Sequence, residues 1–234
     1  MKCFPSSADE FLSGQILLIN KPLGWSSFDV VKKIKNLIRT KYKLKKIKVG
    51  HSGTLDPLAT GLLIICTGKF TKRISEIQEQ KKTYTGIISL GGTTPSYDLE
   101  TVVNKNYKTK HITEKLIRNT TKKFLGEINQ TPPIFSALKK DGERLYKKAR
   151  RGEKVELKSR KVTIHQFNII SCMNLNVHFE IKCSKGTYIR SIANDFGVEL
   201  NSGGYLSKLC RTEIGNYNIT KSIDINTFKE LLNK

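Results

Sequence analysis

Residues 50–61 read Gly50-His51-Ser52-Gly53-Thr54-Leu55-Asp56-Pro57-Leu58-Ala59-Thr60-Gly61. One carboxylate stands in this stretch, between a glycine-rich turn and a proline. A proline ring pushes the residue before it out of the helical region, so Asp56 is expected on a rigid, extended turn. Glycines on either side let a ligand come close to the backbone. Such a setting suits a reactive carboxylate. The spacing alone equally allows an ordinary turn residue, so the rest of the chain must say what Asp56 faces.

Leu62–Cys66 (LLIIC), directly downstream, reads as a buried strand. Gln15–Asn20 (QILLIN) is another, ending at the turn signal Lys21-Pro22-Leu23-Gly24. Ser26, with Asp29 three residues on, is a variant capping box, and Val30, Val31, Ile34, Leu37 and Ile38 make the apolar stripe of the helix it opens. Tyr84–Leu90, Val162–Ile170 and Val177–Cys183 read as strands, the last with clean alternation of apolar and polar residues. Helical patterns cover Thr113–Leu125, the segment after the turn and Thr cap at Ser184-Lys185-Gly186-Thr187, and the stretch holding Ile225, Phe228, Leu231 and Leu232. Residues 126–138, with Pro132-Pro133, read as a loop, and Gly215–Thr220 as a short strand. Strands and helices alternate irregularly, which favours an α+β fold with a mixed, mainly antiparallel central sheet flanked by helices. No repeat or clear linker interrupts the chain, so a single domain over 1–234 is expected.

The chain has 42 Lys and Arg against 20 Asp and Glu, a formal charge of +22, with 38% apolar residues. That is a folded core carrying a strong positive field, which points to a polyanion, nucleic acid before an anionic membrane. The charge clusters: residues 32–48 hold nine Lys or Arg and no acid, and residues 139–161 hold eleven against four acids. The second segment is the better candidate for a mobile arm on nucleic acid. No apolar run reaches the roughly 18 residues a membrane span needs. Met1–Phe11, with Pro5, Asp9 and Glu10, is no secretory signal. Cys3, Cys66, Cys172, Cys183 and Cys210 are odd in number and widely spaced, the pattern of free thiols in a reducing cytoplasm. His51, His111, His165 and His178 are scattered and form no ligand pair, so no metal is expected.

Other chemistries lack their motifs. Gly68-Lys69 lacks the earlier glycine of a phosphate-binding loop, because Leu63 stands there. No Gly-x-Gly-x-x-Gly or Gly-x-Ser-x-Gly occurs. What remains is Asp56 with possible partners. Arg190 sits in the first turn of a helix, where a guanidinium can pair with a carboxylate and keep it ionised. Tyr84 opens a strand after Lys81-Lys82, where its ring can stack on a base. Tyr188 precedes Arg190 by two residues. A carboxylate, an arginine and an aromatic ring can stabilise a cationic sugar centre or add to an electrophilic carbon. Taken singly, each has a bland reading: a turn aspartate, a surface arginine, a core tyrosine.

Taken together, the motifs closely resemble those of the TruB family of tRNA pseudouridine synthases. Asn20-Lys21-Pro22-x-Gly24-x-Ser26-Ser27 is similar to the family's first motif. Residues 49–68, VGHSGTLDPLATGLLIICTG, resemble its catalytic motif, with Ser52 where Thr is usual. Lys82-Thr83-Tyr84, Ser184-Lys185-Gly186-Thr187-Tyr188-Ile189-Arg190 and Leu206-Ser207-Lys208-Leu209-x-Arg211-Thr212 resemble the remaining three, in order.

The resemblance implies the pseudouridine synthase fold, with an RNA-binding thumb near residues 130–161. It implies a cofactor-free isomerase of the uridine at position 55 in the tRNA T-loop, acting by base flipping. Asp56 would be the catalytic aspartate, Arg190 its ion-pair partner, and Tyr84 the ring stacked on the flipped uracil and a candidate to move a proton. His51 would stack where the base left, Tyr188 and Leu209 would line the uracil pocket, and Lys21 and Asp98 would bind near substrate. Only the final Asp of the family's usual Asp-Thr pair region survives here, as Asp98. The family's C-terminal PUA domain would begin about where this chain stops, at Lys234, so the short form is expected. The implied partner is the tRNA T-arm, with no membrane, guide RNA or obligate protein partner, for a cytoplasmic monomer. A non-catalytic RNA-binding protein, a guide-dependent rRNA pseudouridylase of related sequence and a nucleoside glycosidase remain as rivals. The Asp56, Tyr84 and Arg190 set, the missing extra domain and the high charge respectively weigh against them.

Overall fold

The computed structural model describes residues 4–153 and 155–234. Cys3 and Lys154, read above with the cysteines and the basic arm, lie outside the described residues, as do the first residues of the stretch read as no signal. The chain divides into two compact units, Met1–Tyr84 with Leu209–Lys234, and Thr85–Lys208. Strands Lys82–Leu90 and Gly204–Ile214 each contribute residues to both. The fold is α+β with mainly antiparallel pairing, as expected.

The first unit is built on the strand Ala59–Thr67. Ile16–Lys21 pairs antiparallel along it, from Ile16 opposite Cys66 to Lys21 opposite Gly61. Its other edge takes Val49–His51 antiparallel near one end and Leu209–Arg211 parallel near the other. The strand is buried on both faces, so its sequence is a continuous apolar run rather than an alternation. Leu63 and Ile65 face a core with Val30, Val31, Ile34, Ile38 and Phe228. Leu62, Ile64 and Cys66 face a second one with Ile77 and Ile214. The helix Ser27–Lys41 starts at the expected capping box: Ser26 accepts from the Asp29 N–H and Asp29 accepts from the Ser26 N–H.

The second unit centres on the strand Arg160–Met173, paired antiparallel with Asn176–Cys183 and with Gly126–Gln130. Asn174 and Leu175, with φ 48° and 65°, close the first hairpin tightly. The helix Ile189–Glu199 packs through Phe196 against Phe124 and Phe167, at ring centroid distances of 5.8 and 5.3 Å. The basic arm holds a small hairpin, Lys139–Lys140 with Glu143–Arg144, and the helix Leu145–Arg150 anchored by buried Leu145.

Three local readings change. The segment 126–138 is not all loop, because Gly126–Gln130 is a strand. The expected strand Gly215–Thr220 is shorter, Tyr217–Asn218, paired back on Glu213 and Ile214 and followed by a 3-10 turn at Ile219–Lys221. Thr187 closes its turn by donating to Ser184 O (3.0 Å) rather than capping the helix, whose N-cap is Tyr188. No helix among the described residues is long and apolar enough to cross a membrane.

Candidate active site

The Asp56 loop connects two strands paired antiparallel with each other, Val49–His51 and Ala59–Thr67. It is clamped at successive residues. Ser27, the first residue of its helix, donates its hydroxyl to Leu55 O (3.2 Å) and accepts from the Leu55 N–H (2.8 Å). The Asp56 carbonyl accepts from the Ala59 N–H (3.0 Å), and Pro57 O accepts from the Gly24 N–H (2.9 Å). Asp56, half-buried, is therefore carried on a braced turn, as its proline implied.

Two buried cations lie beneath this loop. Lys21, read above as a substrate contact, is placed otherwise: it is 0% exposed, and its ammonium donates to the carbonyls of Pro22, Trp25 and Pro57 at 2.9, 2.6 and 3.3 Å. Pairing opposite Gly61 turns it into the unit's interior, where it braces the turn that carries Asp56. Burial pulls its pKa down to about 8; Asp56 pulls upward and Arg211 downward. Arg211, 1% exposed, donates from Nε to Leu62 O (2.8 Å) and from Nη2 to Gly53 O (3.0 Å). Gly61 has φ 104°, and a Cβ there would meet Arg211 N at 2.6 Å. Only glycine fits between the strands bearing these two cations.

His51 accepts from the Gly53 N–H at Nδ1 (3.3 Å), and burial followed by nearby Arg211 lowers its pKa. It is a neutral, half-buried ring at the mouth of the loop. Leu209, half-buried, pairs with Ala59 at the loop's exit, and its carbonyl accepts from the Thr60 hydroxyl (3.3 Å). Tyr84 is 9% exposed, on a strand fixed by Thr83 Oγ1 donating to Glu213 (2.9 Å) and Thr212 Oγ1 donating to Thr83 O (3.2 Å). The first unit thus gathers His51, Asp56, Lys21, Leu209 and Tyr84.

The second unit gathers the rest. Arg190 is buried, with Nη1 donating to Ser96 O (3.3 Å) and Nε 3.6 Å from Asp98 Oδ2. A polar knot sets those two acceptors: Thr94 and Ser96 hydroxyls both donate to Asp98 O (2.7 and 3.2 Å), and Asp98 Oδ1 accepts from the Glu100 N–H (2.9 Å). Asp98 is therefore a neighbour of Arg190. Tyr188 is held by its backbone: fully buried Gln130 accepts from its N–H (2.7 Å) and donates to its carbonyl (3.1 Å). The Arg160 guanidinium lies 4.6 Å from the centre of the Tyr188 ring. Among the described residues no group of three or more His, Cys, Asp or Glu could hold a metal.

Sequence reasoning missed Ser27, Arg211 and Gln130 as site residues. All three are buried polar side chains whose partners are backbone groups. Their signal was weak: two lie inside quoted motifs, and Gln130 ends a strand read as loop.

This loop, with its braced carboxylate, lies within residues 39–189, which match the family model described as TruB family pseudouridylate synthase (N terminal domain). The chain belongs to the TruB family. It is 59% identical over 225 residues to tRNA pseudouridine synthase B of Flavobacterium johnsoniae, covering 96% of this chain and 98% of that protein. It is 48% identical over 224 residues to the protein of the same name in Bacteroides fragilis, covering 96% of each. Among solved structures, a chain of a Cbf5-Nop10-Gar1 complex superposes with a TM-score of 0.70 at 25% identity. That match covers 94% of this TruB-family chain and 54% of the other, so the chain spans about half that protein's length.

Proposed function

We propose that this chain is a tRNA pseudouridine synthase that isomerises the T-loop uridine at position 55. One observation carries the reading: the family's catalytic stretch is present as a rigid loop holding Asp56, braced by Ser27, Lys21 and Arg211. The names of the relatives, similar along nearly the whole chain, support the substrate.

In this reading the enzyme binds the T-arm by shape and phosphate contacts, with residues 130–161 as a thumb. Flipping the uridine costs a few kcal/mol. Stacking returns roughly 1–3 kcal/mol per base–aromatic contact. Tyr84 stacks on the uracil, Tyr188 and Leu209 line its pocket, and the neutral His51 ring fills the gap the base leaves. In this reading Arg190 serves as the counter-charge of the Asp56 carboxylate. Asp56 attacks the nucleotide, the bond from C1′ to N1 breaks, the uracil turns, and a bond from C1′ to C5 forms with the bond to Asp56 broken and its carboxylate released. The proton on C5 is then lost, with Tyr84 as its carrier. Asp98 keeps Arg190 in place. The reaction needs no cofactor, guide RNA or partner protein, and the enzyme works as a cytoplasmic monomer.

The test is pseudouridine mapping by carbodiimide primer extension on an unmodified tRNA transcript. Asp56→Asn is expected to keep tRNA affinity and lose isomerisation; turnover near wild type would refute the role.

A further inference from the structure

The two basic segments differ in how their charge is engaged. In the arm, Lys148 pairs with Asp141, Arg150 with Glu100, Arg151 with Glu143 and Glu153, and Lys161 with Glu127. None of the nine cations between Lys32 and Lys48 forms a salt bridge to a described residue. The one acid on their helix, Asp29, has its carboxylate taken up by Ser26. A single-sign cluster left without counter-charges in a folded protein is built for an external anion.

The cations are also ordered. Phe28, Lys32, Lys35 and Arg39 follow one another at helical spacing on a flank of the helix, beside the stripe of buried Val30, Val31, Ile34 and Ile38. They form a row about 16 Å long. Its head, Phe28, is 69% exposed, an unusual exposure for a phenylalanine. Ser27, the next residue back, is the one that grips Leu55 beside Asp56. The row therefore starts at the catalytic loop and leads away from it. Beside it, Gly24, Trp25, Asp29, Lys32, Lys33 and Asn36 line an open recess of about 410 Å³, with room for part of a nucleotide and with the Asp29 carboxylate already engaged by Ser26.

We infer that this helix face is a nucleic-acid track: Phe28 stacks on a base next to the target, and Lys32, Lys35 and Arg39 take successive phosphates of the same strand. The inference rests on the RNA-modifying reading above and adds a second basic surface beside the thumb.

The experiment measures binding of an unmodified tRNA transcript across a KCl series, with pseudouridine formation measured in parallel. The row variant is Lys32→Gln/Lys35→Gln/Arg39→Gln. A charge-matched control, Lys221→Gln/Lys229→Gln/Lys234→Gln, removes three cations from the C-terminal segment. The row variant is expected to flatten the slope of log affinity against log salt by about 2, at about 0.7 per single-strand phosphate, and to weaken binding roughly tenfold or more. The loss appears in KM. The control is expected to change the slope by much less. Phe28→Ala is expected to weaken binding roughly fivefold or more with the slope unmoved, as for a lost stacking contact. An unchanged slope in the row variant overturns the inference. So does a control that falls as far, since net charge would then be the cause. Retained tRNA binding with lost binding to phosphatidylserine vesicles also overturns it, and assigns the face to a bilayer. A wild-type protein that binds tRNA through the row but forms no pseudouridine refutes the enzymatic reading and leaves the track standing.

Discussion

Removing one oxygen atom at Ser27 should loosen the Asp56 loop from outside the proposed reaction. In Ser27→Ala the Leu55 N–H and carbonyl lose their shared partner, with bonds of 2.8 and 3.2 Å. Ser27 is 1% exposed and Leu55 3%, so bulk water does not reach them. The space vacated by one hydroxyl oxygen is too small for a water molecule. Two bonds worth roughly 0.5–1.5 kcal/mol each disappear, and two buried polar groups are left bare, for a combined loss of about 2–4 kcal/mol. In a chain of this size that lowers the melting temperature by roughly 6–12 °C. Leu55 adjoins Asp56, so the carboxylate loses its fixed position and kcat should fall roughly tenfold to a hundredfold, with tRNA affinity little changed. Thermal melts by circular dichroism and single-turnover pseudouridylation check both parts. Ser27→Thr, which keeps a hydroxyl, should recover most of each. A Ser27→Ala protein melting within about 2 °C of wild type, where the lost bonds predict several times more, would refute the reasoning. Equal kinetics for the Ala and Thr variants would do the same.

Gln130→Leu should remove both backbone bonds that hold Tyr188, two residues before Arg190, and cost about 2–3 kcal/mol in urea unfolding. Gln130→Glu, which keeps the acceptor, should fall between that variant and wild type; equal stability for all three would contradict the clamp. Lys21 gives a pH signature. Its folded pKa is about 8 against an ordinary 10.5, so above pH 8 the folded state holds fewer protons than the unfolded one. Stability from this group therefore rises between about pH 8 and 10.5, by up to roughly 3 kcal/mol. Lys21→Met should abolish that rise when unfolding free energies at pH 8 and 10 are compared, and an unchanged pH dependence would exclude the assignment.

The parts legible in sequence were those that bury one kind of surface. The Ser26–Asp29 capping box and the apolar runs of Ile16–Lys21 and Ala59–Thr67 place their elements within a few residues. Gly126–Gln130 was illegible because it is mostly exposed and pairs with Arg160–Ile164, leaving no hydrophobic alternation to read. Gly204–Ile214 was illegible because buried Arg211 and exposed Lys208 break its pattern. In the site, the proline after Asp56 announced a stiff turn. What sequence could not give was the use of Lys21: the same motif lysine reads as a substrate contact until strand register places it opposite Gly61, facing carbonyl oxygens.

Lys21 and Arg211, in register on either side of Gly61, leave the floor of the loop with two positive charges shut away from solvent. The hydrogen bonds they donate go to neutral carbonyls, so their charge is offset through space, for Lys21 by Asp56 above all. Any step that turns this side chain into an ester uncovers the pair of cations, and hydrolysis or expulsion that regenerates the anion covers them again. In the proposed reaction the foundation of the loop therefore opposes a long-lived adduct at Asp56.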